Sequence, residues 1–283
     1  MVFFVNIHPA SGGPAAWLAM IPAVKIASWN VNSVRARFDR LERWLASRNP
    51  DILCLQELKA TEADFPFEKL RAAGYEAAMH GQKTYNGVAV LARGPLADVE
   101  RGFGDGGDET QSRLVAARVG GFRVVSVYVP NGQEVGSEKW TYKLAWLKRL
   151  RDWLDRNARP DEPFVICGDF NVAPEARDVH DPATWEPTTL YHPEARAALA
   201  AVTAWGLKDT FRLHHADGGL YSWWDYRMLA FPKDHGLRID HIFANEAAAR
   251  LCTAASIDRE ERKGTLPSDH APVIAEFRDP GAV

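Results

Sequence analysis

Two apolar runs, residues 52–55 (Ile-Leu-Cys-Leu) and 164–167 (Phe-Val-Ile-Cys), carry no charge and are too short for helices. Such runs read as strands buried inside a sheet. The first belongs to a strand–helix–strand start. Residues 24–29 read as a strand. Ser33 is expected to cap a helix whose apolar face is Val34, Phe38, Leu41, Trp44 and Leu45, and Asn49-Pro50 stops it. Residues 51–56 then form a strand. That order favours a right-handed crossover and a sheet with parallel pairing. With 283 residues, 46% of them hydrophobic, the chain can bury one large layered core.

Further along, residues 75–80 and 87–92 are strand-like, and 102–108 read as a flexible acidic loop. Residues 113–119 and 122–129 flank Gly120-Gly121 as a hairpin. Residues 141–156 and 193–205 read as helices, the first with Leu144, Leu147, Leu150 and Leu154 on one stripe. Between them, the Pro-punctuated stretch 173–193 reads as a long, functional or disordered loop. Residues 237–244, 251–257 and 271–277 complete the strands. Alternating helices and strands with intervening hairpins point to a mixed-sheet α/β sandwich. No Gly/Ser- or Pro-rich linker interrupts residues 24–278, so one domain is expected there, with 1–23 as an extension outside it.

The net charge of −3 neither supports nor excludes a nucleic-acid partner, because Lys and Arg can be concentrated on one face. Cys54, Cys167 and Cys252 are far apart, odd in number and lack a CxxC spacing. This argues against disulfides or a zinc site and for a reducing compartment. Residues 1–22 have no basic start and are broken by Pro9, Gly12, Gly13 and Pro14, unlike a signal peptide or a membrane span. A monomer in the cytoplasm, with no membrane attachment, is expected.

Most of the apolar runs are followed or ended by short acidic and amide motifs. Glu57 exits the strand at 52–55, where a carboxylate can hold Mg²⁺; taken alone it also reads as a solvated surface residue. Asp169 and Asn171 in Gly-Asp-Phe-Asn (168–171) are two apart and share a side of extended backbone, as a base and a donor would; an Asx-type turn is the plain alternative. Ser-Asp-His-Ala-Pro (268–272) places Asp269 beside His270, to orient a phosphate, bind metal or simply close a turn. Asp240 is placed either to orient His270 or to pair with Arg238. Tyr128 and Asn131 flank Pro130, and Asn30 ends the first strand; a rim tyrosine and a capping amide are their ordinary readings. Trp223, Trp224 and Tyr226 either line a pocket or pack in the core. Arg35, Arg37, Lys59, Lys83, Arg113, Arg227 and Lys233 are candidates for a phosphate-binding face, with scattered solvated cations as the default.

Jointly these motifs resemble the exonuclease III family of abasic-site endonucleases, within the DNase I-like endonuclease/exonuclease/phosphatase superfamily. The resemblance rests on WNVNSVRAR (29–37), LQELK (55–59), HGQKTYNGVAVL (80–91), YVPNG (128–132), GDFNVAP (168–174), SWWDYR (222–227), GLRIDHIF (236–243) and PSDHAPV (267–273). It implies a four-layer α-β-β-α sandwich with two mixed β-sheets. It implies Mg²⁺, replaceable by Mn²⁺, with Asn30, Glu57, Asp169, Asn171, Asp269 and His270 around it. Tyr128, Asp169, Asn171, Asp240 and His270 would be catalytic: Asp169 activates water, Asn171 stabilises the transition state, and His270, oriented by Asp240, contacts the scissile phosphate. Asn131, Trp223, Leu237, Ile239, Arg113 and Lys83 would bind substrate, with Trp223, Leu237 and Ile239 lining an apolar pocket for an extrahelical abasic sugar. The implied partner is double-stranded DNA with abasic sites or 3′ ends, cut 5′ to the lesion and trimmed from its 3′ ends. A superfamily phosphatase acting on a phospholipid or inositol phosphate, and a non-catalytic DNA-binding protein, are the alternatives. The stretch 175–193, with His180, Asp181 and Trp185, departs from the family pattern and is expected to influence the balance of the two activities.

Overall fold

The computed structural model describes residues 23–282; the extension expected at 1–23 lies, except for Ala23, outside them. Among the described residues, twelve strands form two six-stranded sheets. The first contains β1 (Ala23–Asn30), β2 (Ile52–Gln56), β3 (Glu76–His80), β4 (Val88–Ala92), β11 (Cys252–Ile257) and β12 (Val273–Arg278), in the order β11-β12-β1-β2-β4-β3. The second contains β5 (Ala97–Arg101), β6 (Leu114–Val119), β7 (Phe122–Tyr128), β8 (Phe164–Asp169), β9 (Lys208–Asp209) and β10 (Asp240–Ala244), in the order β5-β6-β7-β8-β10-β9. β1–β2 and β7–β8 pair in parallel and the other described pairs are antiparallel, so each sheet is mixed.

The period-two alternation of the strands builds the layers. Ile26, Ile52 and Cys54 face Val165, Cys167 and Ile242 between the sheets. The alternate residues, Ala27, Trp29, Leu53 and Leu55, face outward onto α1 (Phe38–Arg48), with its Phe38, Leu41, Trp44 and Leu45, and onto α2 (Phe67–Ala72), with its Leu70. On the other side Phe164, Ile166 and Phe243 meet α3 (Glu138–Asn157) and α5 (Pro193–Thr203). The result is the α-β-β-α order. Burial on both faces is why the 52–55 and 164–167 runs are apolar at every position.

Several boundaries differ from the sequence reading. Ser33 does not cap α1: the helix starts at Phe38 behind Arg37, while Ser33 accepts from the Ala36 N–H and shapes a preceding turn. α3 begins three residues before Thr141, because Ser137 caps it by accepting from the Trp140 N–H at 3.2 Å. The strand expected over 237–244 begins only at Asp240; Leu237 makes isolated bridges to Val179 and Trp223 instead. The stretch 173–193 is ordered, with a short α4 (Pro182–Trp185) capped by Asp181. At Gly120-Gly121 both residues have positive φ (51° and 83°), which the two-residue hairpin between β6 and β7 requires. Among the described residues, no helix is long and apolar enough to cross a membrane.

Candidate active site

Strand register brings the polar motifs to one end of both sheets. β1 and β2 run parallel with Asn30 opposite Gln56, so Glu57 emerges one step beyond Asn30. β7 and β8 run parallel with Tyr128 opposite Asp169, and β10 runs antiparallel to β8 with Asp240 opposite Asp169. The turn before β12 is fastened to β1: Ser268 Oγ donates to the Asn30 carbonyl at 2.6 Å, and Trp29 Nε1 to the His270 carbonyl at 3.2 Å. Ligand atoms of Glu57, Asp169 and His270 consequently lie within 4.8 Å of one another. Gly168 permits the approach of the strands, since a Cβ there would lie 2.0 Å from the Val127 carbonyl oxygen. Glu57 and Asn171 both hold φ near 50°, a left-handed conformation that costs on the order of 1 kcal/mol or more for a residue with a side chain. Both are thus aimed by backbone the surrounding fold enforces.

Asn30 links the carboxylates. Its Nδ2 donates to Glu57 Oε1 and Asp169 Oδ2, both at 2.9 Å, while its Oδ1 accepts from the Asn32 N–H at 3.0 Å. As oriented here, Asn30 holds the two acids apart through its nitrogen; serving as an oxygen ligand requires the amide to turn over and give up the Asn32 bond. Glu57 Oε2 also receives Lys59 Nζ at 3.0 Å, and Lys59 donates to Asn32 Oδ1 at 2.6 Å. Burial keeps the Tyr128 phenol well above its ordinary range, reinforced by the Glu57 and Asp169 charges, so it is a donor at neutral pH. The Arg113 guanidinium lies 4.7 Å from the Tyr128 ring centre and donates to the Tyr128 carbonyl at 3.0 Å.

His270 sits between two acids: Nδ1 is 2.9 Å from Asp240 Oδ2, and Nε2 is 3.6 Å from Asp169 Oδ2. Burial alone would lower its pKa, but the Asp240 and Asp169 charges outweigh that and raise it to about 10. An imidazolium with both N–H groups facing carboxylates is a donor; it can ligate a cation only after losing a proton. Ser222 fixes Asp240, donating Oγ–H to Oδ2 at 2.6 Å and accepting from the Ile239 and Asp240 N–H groups. Arg238 does not pair with Asp240. It is buried against Asp178 and Asp209, both at 2.7 Å, while Asp240 faces His270 Nδ1. Burial raises Asp169 to about 7, with the His270 charge pulling the other way. Asp269 stands apart from this group. Burial would raise it, yet the His270 charge and bonds from Asn32 Nδ2 (2.9 Å) and Trp223 Nε1 (3.0 Å) lower it.

Asn171 is tied on both sides of its amide: Oδ1 accepts from Asn131 Nδ2 at 3.1 Å and Nδ2 donates to the Val129 carbonyl at 3.0 Å. Leu237 and Ile239, expected to line the sugar pocket, are 0% and 1% exposed and back a small cluster with Val179, Leu190 and Tyr191. The surface above them is aromatic: Trp223 meets Trp185 edge-on at 5.9 Å, beside a cavity of about 430 Å³ that Asn131, Leu190 and Asp225 also line. On the opposite flank a cavity of about 490 Å³ is lined by Glu57, Tyr85, Arg113, Tyr128, Asn131 and Tyr142. Lys83 is exposed on the turn that carries Gln82 and Tyr85 and does not itself line that cavity. Sequence reasoning missed Asn32, Ser222 and the buried Lys143. Asn32 and Ser222 sit inside quoted motifs and were recoverable from them; Lys143 lies mid-helix among ordinary helix formers and gives no local signal.

Residues 27–270 match the Endonuclease/Exonuclease/phosphatase family. An exodeoxyribonuclease III of Haemophilus influenzae is 33% identical over 267 residues, covering 90% of this chain and all of the relative. An AP endonuclease from Archaeoglobus fulgidus shares 37% identity with a TM-score of 0.88, and covers 90% of this chain and 99% of its own. A 3′ phosphatase from Neisseria, solved with a product DNA hairpin, shares 40% identity with a TM-score of 0.86 over the same fractions. With its motifs gathered at one end of two mixed sheets, this chain belongs to the endonuclease/exonuclease/phosphatase family, in its exonuclease III branch.

Proposed function

We propose that this protein is a divalent-metal-dependent DNA repair phosphodiesterase that cuts 5′ to abasic sites, leaving a 3′-hydroxyl, and trims nucleotides or blocking groups from 3′ ends of double-stranded DNA. The observation that carries the reading is the group Glu57–Asp169–His270 with its Asp240 partner at the strand ends, Asp169 and His270 buried and the half-buried Glu57 lining an open cavity. The relatives named for abasic and 3′-end chemistry support the substrate class.

The donor set fits a hard cation. It offers carboxylate oxygens and no thiolate, and it holds two acids close enough to need a counter-charge. Mg²⁺, or Mn²⁺ in its place, would be held chiefly by Glu57 and Asp169. When bound, such an ion supplies positive charge that offsets charge developing on the phosphate and the leaving oxygen.

The chain's own residues do the rest. Asp169, with a pKa near working pH, takes a proton from the attacking water. The water oxygen bonds to phosphorus as the P–O3′ bond breaks, and the departing 3′ oxygen takes a proton from solvent to end as a hydroxyl. His270, kept protonated and aimed by Asp240, donates from Nε2 to a phosphate oxygen. Tyr128 presents a neutral phenol, and Asn171 a fixed amide, to the same group. Removing one such donor costs roughly 10²–10³ in rate. Trp223 and Trp185 offer an apolar wall to a sugar turned out of the helix, so that shape separates a baseless sugar from an intact nucleotide.

The test is an end-labelled duplex with a single tetrahydrofuran lesion, with and without chelator, run beside a 3′-phosphate duplex and a panel of phosphoinositides. Lesion cleavage that chelator abolishes, without phosphate release from lipid, is expected. Lipid dephosphorylation without DNA cleavage overturns the reading.

A further inference from the structure

We infer that Lys143 is a positioning residue for the proposed reaction: its ammonium joins the three loops that form one wall of the active site. The inference rests on the reading above. Lys143 projects from α3 and is 0% exposed. Its Nζ donates to three backbone carbonyls, of Asn171 at 2.7 Å, Thr189 at 2.7 Å and Asn131 at 3.1 Å. Among the described residues it forms no ion pair; the centre of the Trp140 ring lies 5.9 Å from Nζ. An ammonium has three N–H donors, and here each meets one carbonyl from a different segment. Those segments are the loop after β7, the loop after β8, and the 173–193 stretch. The stem is enclosed as well: a Cβ added at Gly132 would fall 3.0 Å from Lys143 Cδ and 3.3 Å from Thr189 Cγ2.

Burial lowers the Lys143 pKa to about 7, opposed by the Asp169 charge, so the ammonium that serves all three carbonyls is costly to keep, and a neutral core residue could fill this space more cheaply. What the charge provides is convergence. The Asn171 and Asn131 backbones are held to one atom, and their side chains then bond each other through Asn131 Nδ2 and Asn171 Oδ1. That bond fixes the amide facing the phosphate. The third carbonyl ties in the segment carrying Trp185, so a single side chain sets the distance between chemistry and aromatic wall. A misplacement of about 1 Å in such a constellation costs on the order of 10²-fold.

The experiment measures kcat and KM on the tetrahydrofuran duplex at saturating Mg²⁺ for the parent, Lys143→Met, Asn131→Ala and the double variant. Parental cleavage establishes the underlying reading independently. If Lys143 acts through Asn131 and Asn171, Lys143→Met lowers kcat at least about tenfold while KM stays within about threefold. Adding Asn131→Ala then costs much less than it costs alone. A kcat within twofold of the parent, or losses that multiply in the double variant, overturns the inference. Lys143→Arg covers the case in which the Met variant fails to fold. It keeps the charge, but a planar fork cannot direct three N–H groups from one atom, so a folded Arg variant with reduced kcat is expected. Parental kcat in that variant overturns the inference equally.

Discussion

Asp169 and His270 lie 3.6 Å apart, both largely buried, and the upward shift of each sets the expected pH response. Asp169 acts as a base only when deprotonated, so kcat/KM rises with pH through about 7. His270 donates only while protonated, so the rate falls as pH climbs through about 10. Between those limits the profile is flat. A bound cation stabilises the Asp169 carboxylate, so raising Mg²⁺ moves the acid limb to lower pH. A rate that falls steadily from pH 7 to 9 contradicts this assignment. Asp169→Asn keeps the shape but removes the base, and the nicking rate should drop by roughly 10²–10⁴. Ser222→Ala removes the hydroxyl that fixes Asp240. A smaller loss is expected there, about tenfold in kcat with KM unchanged, because Asp240 still bonds His270. Equal activity of Ser222→Ala and the parent, measured under single-turnover conditions, removes Ser222 from the account.

The elements that carry these residues were legible to very different degrees. Runs such as 52–55 and 164–167 announce strands because both of their faces are buried, so every position must be apolar. β5, at an edge with largely exposed residues, carries no such constraint and is silent in the sequence. β9 has two residues, too few for any period. The N-terminus of α1 misled because Ser33 resembles a cap, yet its backbone takes φ 90° and shapes a turn instead. Site residues sitting in short motifs at strand ends could be named from sequence, since register alone brings strand ends together. Lys143 and Asp178 could not, as their partners are distant in sequence and their identities are unremarkable where they stand; Arg238 is named from sequence, but as a candidate partner of Asp240 rather than of Asp178. The 173–193 stretch belongs to the same class: Asp178 and Arg238 pin it to the segment that leads into β10. Trp185, Pro187, Thr188, Thr189 and Leu190 of this stretch line the cavity, and Trp185 brings the one aromatic side chain among them. Trp185→Ala should therefore change the ratio of lesion incision to 3′-end trimming by several-fold, assayed on matched duplexes, while the melting temperature stays within a few degrees. An unchanged ratio shows that this stretch does not tune specificity.

At the scale of the whole molecule, two mixed sheets packed face to face do what neither could do alone. The first supplies Asn30, Glu57 and the turn holding His270; the second supplies Tyr128, Asp169 and Asp240. The site exists only where their ends meet, so its function depends on inter-sheet packing as much as on its own side chains. Ser28, Gln56 and Ser126 form a buried hydrogen-bonded set across that interface, just behind Asn30 and Glu57. The central claim is that carboxylates from the two sheets share one divalent cation, and the Mg²⁺ dependence of incision tests it most directly. The parent and Glu57→Gln are compared on the tetrahydrofuran duplex across Mg²⁺ concentrations. The account predicts no cleavage in chelator and a half-maximal Mg²⁺ concentration for Glu57→Gln at least about tenfold higher than the parent's, as expected for losing one charged ligand. Superimposable Mg²⁺ curves for the two proteins would contradict it.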